Sequence, residues 1–145
     1  MSSDAERVWE SLVHAYAGLA PRIAKEVRGK SGMSLAAFDV LRELESSKTG
    51  LTMNDLAARI VLSRSQVSRL VDELEGAQLV AREPKPGDKR SSVVTITADG
   101  RTSFNETAPA YRAAVAHGVD RAATAEQLRK VAEILDGILP NARDV

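Results

Sequence analysis

Between Thr52 and Thr97 the chain alternates two short helical patterns with two β-prone segments, and this order constrains its fold more than any other feature. Thr52 is placed to cap a helix whose apolar residues Met53, Leu56, Ala57 and Ile60 recur at helical spacing, with Asp55 in its first turn. After Val61 and Leu62, Ser63 and Gln66 form a capping-box pattern. Val67, Leu70, Val71 and Leu74 follow at offsets 0, 3, 4 and 7, so a second helix starts afresh. Residues 79–83 and 92–97 are rich in β-formers, and Pro84, Pro86 and Gly87 break the chain between them. That pattern predicts a hairpin with a tip of about six residues.

A turn of about 100° per residue puts Ser65, Ser68, Arg69 and Asp72 opposite the apolar stripe of the second helix, with Gln66 on its flank. Every amphipathic helix has a polar face, so the distribution of charge decides what this one can do. From Arg59 to Val71 stand Arg59, Arg64 and Arg69 and no acid, whereas Asp72, Glu73 and Glu75 crowd the far end. The N-terminal half can approach phosphates; the C-terminal half is repelled by them. Arginine can bond guanine bidentately, glutamine can do so with adenine, and serine bonds base edges or phosphate. The hairpin and its flanks carry Arg82, Lys85, Lys89 and Arg90 against Glu83 and Asp88, an excess of two positive charges (four minus two).

With Asp88-Lys89-Arg90-Ser91 placed in a hairpin after a Ser63-capped helix, the chain resembles the MarR family of winged helix-turn-helix transcriptional regulators over nearly its whole length. Asp88 and Arg90 match that family's Asp-x-Arg in the wing. The resemblance implies a mainly α fold with a small β-hairpin wing, as a single domain over residues 1–145. Within it, residues 34–97 would form the winged helix-turn-helix, and residues 4–28 and 98–140 the dimerisation helices. It also implies that Arg90 enters the minor groove or grips its phosphate edge, that Asp88 holds the wing and its basic residues in shape, that Ser91 beside them belongs to the DNA-binding set, and that Ser63, Arg64, Ser65, Gln66, Ser68 and Arg69 act from the recognition helix. Arg59, Arg64, Lys85, Lys89 and Arg90 would supply affinity through phosphate neutralisation. A homodimer would set its recognition helices in successive major grooves about 10 base pairs apart, so the expected partner is double-stranded DNA bearing an imperfect palindrome.

Similar regulators commonly leave DNA when a small aromatic or phenolic anion settles between the dimer-forming helices and the winged region. A repressor released by such a ligand is therefore the expected function, and His14, Tyr16, Phe38 and Tyr111 are the candidate lining residues. A winged helix that binds another protein instead of DNA is the alternative. Acids on the recognition face would favour it, and residues 59–71 carry none.

Composition narrows the remaining classes. Net charge is +0 from 20 basic and 20 acidic residues, so affinity for DNA must come from uneven placement of charge. No cysteine is present, which removes disulfides, thiolate metal sites and thiol redox sensing, and with them any likeness to the peroxide-sensing branch of the family. His14 and His117 are the only imidazoles and neither sits in a ligand-spaced cluster, so no metal or cofactor is expected. Gly29-Lys30-Ser31 matches the end of a phosphate-binding loop, but that pattern's first glycine falls at Ala24 and no strand precedes it. No nucleophile elbow or paired-histidine metal motif occurs, so no enzymatic role is expected. The absence of a long apolar run or an N-terminal basic-then-apolar leader predicts a cytoplasmic protein without membrane contact.

The ends of the chain are helical in pattern. Val8, Leu12, Ala15, Leu19 and Ile23 form one stripe of an N-terminal helix, with Trp9, Val13, Tyr16 and Ala20 beside it, and Pro21 predicts a kink or break. Two C-terminal helices are expected either side of His117-Gly118, the last carrying Leu128, Val131, Leu135 and Ile138 with Ile134 and Leu139 widening its apolar side. These faces exceed what one small subunit can cover, which predicts a homodimer.

Overall fold

The computed structural model describes residues 2–138, with Lys89 described by its backbone alone. The elements run α1 (Asp4–Ser31), α2 (Leu35–Glu45), β1 (Leu51–Thr52), α3 (Met53–Ile60), α4 (Arg64–Gly76), β2 (Val80–Lys85), β3 (Asp88–Ile96), α5 (Ala98–Val119) and α6 (Ala125–Ile138). The fold is mainly α, with one small antiparallel sheet in the order β1-β3-β2.

Local chemistry accounts for where the helices begin. The hydroxyls of Ser3, Ser34, Thr52, Ser63 and Thr97 each accept an N–H from the first turn of α1, α2, α3, α4 and α5 respectively. Helix α2, which the pattern from residue 52 onward does not reveal, puts Phe38, Val40, Leu41 and Leu44 into the core against Leu56 of α3, Val67, Val71 and Leu74 of α4, and Val80 and Val94 of the sheet. Full burial of such side chains contributes about 1.5–3 kcal/mol each. Phe38 stacks on Phe104 at 5.5 Å and meets Tyr111 at 4.9 Å, which docks α5 onto α2. Arg101 of α5 pairs with Glu45 of α2 at 2.7 Å on the same seam.

Three expectations change. Helix α1 runs unbroken through Pro21, because the proline forfeits only its own bond to the Ala17 carbonyl while the turns on either side remain helical and pack on α5. Helix α5 likewise continues through Pro109 and past His117-Gly118 to Val119. Gly118 is a contact rather than a break: a Cβ there would lie 2.3 Å from Leu19 Cδ2, so its bareness lets α5 close on α1. The hairpin tip is also shorter than the proline and glycine content implied. Lys85-Pro86-Gly87-Asp88 turns in two central residues, with Gly87 at φ +83, the proline-then-glycine order of a type II turn. Leu139 and Pro140, the end of the expected C-terminal region, lie outside the described residues.

Candidate nucleic-acid interface

Ser63 and Gln66 form a full capping box at the start of α4: the Ser63 hydroxyl accepts from the Gln66 N–H at 3.3 Å, and Gln66 Oε1 accepts from the Ser63 N–H at 3.0 Å. Ser63 Oγ also donates to Gln66 Oε1 at 3.0 Å. The carboxamide oxygen is thus occupied by the cap, and a bidentate bond to adenine would require releasing it. Arg64 is held by a hydrogen bond to Asn54 of α3, which spans the helix-turn-helix angle. Ser65 and Arg69 are exposed and Ser68 is half-buried, while the first turn of α4 holds no acid. The free N–H dipoles of that turn add to the attraction for anions.

The wing is built by a register shift. Pro84 pairs with Ser92 but Lys85 pairs with Asp88, so residues 89–91 bulge out of the ladder. Asp88 Oδ1 accepts the Arg90 N–H at 2.9 Å, closing the bulge and leaving the Arg90 side chain exposed. Lys85 is exposed too, and the Lys89 side chain lies outside the described residues.

Two expected contributors to the cationic surface are engaged within the fold. Arg82 binds Asp72 of α4 and lies 3.9 Å from Glu75. Arg59 lies 3.8 Å from Glu43 of α2. Among the described residues, Lys85, Arg69 and Arg90 form no ion pair within the 4 Å limit of a salt bridge, so they present their charge outward along with Arg64.

The fold and sequence have relatives of known kind. A crystal structure of Sco3205, a MarR family transcriptional regulator from Streptomyces coelicolor in complex with DNA, matches at TM-score 0.85 and 29% identity, covering 97% of this chain and 92% of that one. The MarR family model matches residues 31–91, which span α2 to the wing. The chain is similar to MarR family regulators in sequence and in fold. MhqR of Bacillus subtilis (strain 168), an HTH-type transcriptional regulator, is 24% identical over 143 residues, 99% of this chain and 97% of that protein. CouR from Rhodococcus jostii RHA1, crystallised with p-coumaroyl-CoA, matches in fold at TM-score 0.83 and 22% identity, covering 97% of each chain. Among the described residues no helix is long and apolar enough to cross a membrane, and no cluster of metal-ligating side chains occurs.

The aromatic candidates for an effector site are not brought together in this chain. Phe38 is fully buried in the core and Tyr111 is packed against it beneath the Arg42 guanidinium, 5.6 Å from the ring centre. Tyr16 is 76% exposed, and His14 is exposed on the same helix. Of these four, Tyr16 alone lines a cleft of about 740 Å³ between α1 (Tyr16, Ala17, Ala20, Pro21, Ala24), α2 (Leu35, Ala36, Asp39) and the α3–α4 turn (Ile60, Val61, Leu62). Spacing alone could not separate a core ring from a cleft ring, since both recur at helical intervals. The residue missed is Asp39, the one ionisable side chain besides Tyr16 among the described residues that line the cleft. Burial pushes its carboxyl above the usual carboxylate range; the adjacent Arg42, donating to Oδ1 at 3.1 Å, opposes that shift and Glu43 adds to it.

Proposed function

We propose that this protein is a homodimeric repressor that reads an imperfect palindrome and lets go of it when a small molecule fills the cleft between α1, α2 and the helix-turn-helix. The carrying observation is the pairing of a capped, acid-free start of α4 with a wing whose bulge throws Arg90 outward. Arg64, Ser65, Ser68 and Arg69 meet the major groove, with Ser63 and Gln66 fixing the helix end that approaches the phosphates. Lys85, Lys89 and Arg90 meet the flanking backbone and minor groove, and Asp88 and Ser91 shape the bulge that carries them. Arg59 contributes to the field of the domain rather than as a direct clamp, given its place beside Glu43.

Pairing is supported by the apolar residues left uncovered on one subunit: Trp9 at 67% and Tyr16 at 76% exposure, with Val8, Val13, Val131, Ile134 and Ile138 also exposed. Helix α6 has no buried residue among those described, although one face is apolar. Val8, Leu12, Val131 and Ile134 line a common groove of about 520 Å³ between α1 and α6, which a partner's helices would fill.

Control by a ligand is supported by the cleft's position. Its floor is Ile60, Val61 and Leu62, the segment directly before the Ser63 cap of α4, so a molecule seated there bears on the recognition helix. That CouR was crystallised with p-coumaroyl-CoA accords with a small-molecule effector in this fold.

Selection of duplexes from a random pool, followed by anisotropy titration at several salt concentrations, tests the DNA reading. A palindromic consensus with half-sites about 10 base pairs apart and a steep salt slope is expected. Recovery of no consensus and no salt dependence would sink it. Sedimentation of the free protein tests the dimer, and a monomer at micromolar concentration would overturn that part.

A further inference from the structure

We propose that the cleft takes a small aromatic cation, an arylalkyl ammonium or amidinium, whose charge is held by Asp39. This deepens the effector reading above and rests on it. The cleft's walls are apolar apart from the Asp39 carboxylate and the Tyr16 phenol: Ala17, Ala20, Ala24, Leu35 and Ile60 offer surface for rings, and among the described residues no lysine or arginine lines it. An aromatic acid entering would bring its carboxylate toward Asp39, while the nearby Arg42 is already paired with the Asp39 carboxylate at 3.1 Å and does not line the cleft, at a cost of both desolvation and like-charge repulsion.

A cation gains at the same place. Asp39 has its side chain 27% exposed; Oδ1 is taken by Arg42, and Oδ2 has no hydrogen-bond partner among the described residues. A carboxylate whose ionisation is disfavoured by burial profits from an added counter-charge more than a fully solvated one does. Arg42 supplies only part of it, because it is shared: its guanidinium also lies over the Tyr111 ring and 3.9 Å from Glu43. Tyr16 also lines the cleft, and an aromatic ring can attract an ammonium group that approaches its face. The volume of about 740 Å³ suits a molecule of one or two rings.

Titration calorimetry of the full chain at neutral pH with three probes of equal shape tests this: 2-naphthylmethylammonium, 2-naphthalenemethanol and 2-naphthoate. The ammonium should bind at least about tenfold more tightly than the alcohol, and the naphthoate most weakly. In Asp39→Asn the ammonium should fall to the level of the alcohol. Ala24→Phe, which fills the cleft without touching the charge, should abolish binding of all three. The proposal is overturned if naphthoate matches or exceeds the ammonium in the wild-type chain, if no probe binds, if the advantage survives in Asp39→Asn, or if Ala24→Phe leaves the ammonium bound. The wild-type order alone decides the matter should either variant fail to fold. Anisotropy with a selected duplex separates the two readings: an ammonium that binds through Asp39 but leaves DNA affinity unchanged refutes control by the cleft while the ligand class stands.

Discussion

Arg82 of β2 binds Asp72 of α4, so the strand that leads into the wing is tied directly to the recognition helix. The pair does two things. It sets the wing's base against α4, and with Glu75 3.9 Å away it neutralises acids that would otherwise repel a phosphate backbone.

Replacing Arg82 by Ala is therefore expected to cost about 1 kcal/mol of stability, as partly exposed ion pairs do, and to weaken DNA binding several-fold at low salt. Adding Asp72→Asn should restore part of the binding loss, a coupling that a double-mutant cycle in anisotropy and urea unfolding measures. Independent, additive effects would show that the pair does not act as a unit.

Val61 ends α3 in the left-handed region, at φ 57 and ψ 47, while 81% exposed. Gln78 sits at φ 62 after α4. A β-branched residue pays about 1–2 kcal/mol for this conformation with no burial to offset it. Val61→Gly should raise stability by about 1 kcal/mol, and Gln78→Gly by less, in urea denaturation.

Two glycines are fixed by what lies against them. A Cβ on Gly100 would sit 1.9 Å from the Leu79 carbonyl oxygen, whereas one on Gly118 meets only the end of the Leu19 side chain at 2.3 Å. Backbone cannot yield as a leucine rotamer can. Gly100→Ala should destabilise by more than about 3 kcal/mol and Gly118→Ala by about 1 kcal/mol, as thermal melts will register.

The side chains proposed to face DNA separate by role. Gln66→Ala should cost about 1 kcal/mol of stability through loss of the cap. Arg69→Ala should relax base preference at one position by about 1–3 kcal/mol, and Arg90→Ala should reduce the salt slope by about one while weakening all sequences alike. Salt-dependent titration against selected and mismatched duplexes distinguishes these patterns.

Asp39 gives a pH dependence whose sign follows from its raised native carboxyl. Its contribution to stability is fully present below the ordinary carboxylate range and is lost as pH climbs through the raised native value. The stability of Asp39→Asn relative to wild type should therefore shift in the variant's favour as pH rises out of the ordinary carboxylate range toward neutrality, as urea unfolding at a series of pH values would record. A shift in the opposite direction would mean that Arg42 outweighs burial at this site.

Much of the helix-turn-helix and wing was legible because its signals are local. Thr52 and Ser63 cap the helices that follow them, and the apolar offsets after Val67 match the face that Val67, Val71 and Leu74 bury. The two-residue strand β1 was not legible: Leu51 and Thr52 carry no alternation, and they become a strand only because Val94 and Val93 lie beside them. Helix α2 had a cap at Ser34 and apolar residues at Phe38 and Leu41, signals that sequence reading could have used.

By itself the sequence determined which residues form helices, where those helices start, and which charges are available to meet DNA, since caps, periodicity and residue type act over a few positions along the chain. Tertiary structure alone decided which charges remain outward, which aromatic residues become core, and where the cleft lies. Arg59 and Arg82 meet acids from other elements, and Phe38 stacks on a ring 66 positions away (104 minus 38). Partners so far apart in the chain meet only when apolar burial packs the helices and sheet together, and that packing leaves no periodic trace at either residue.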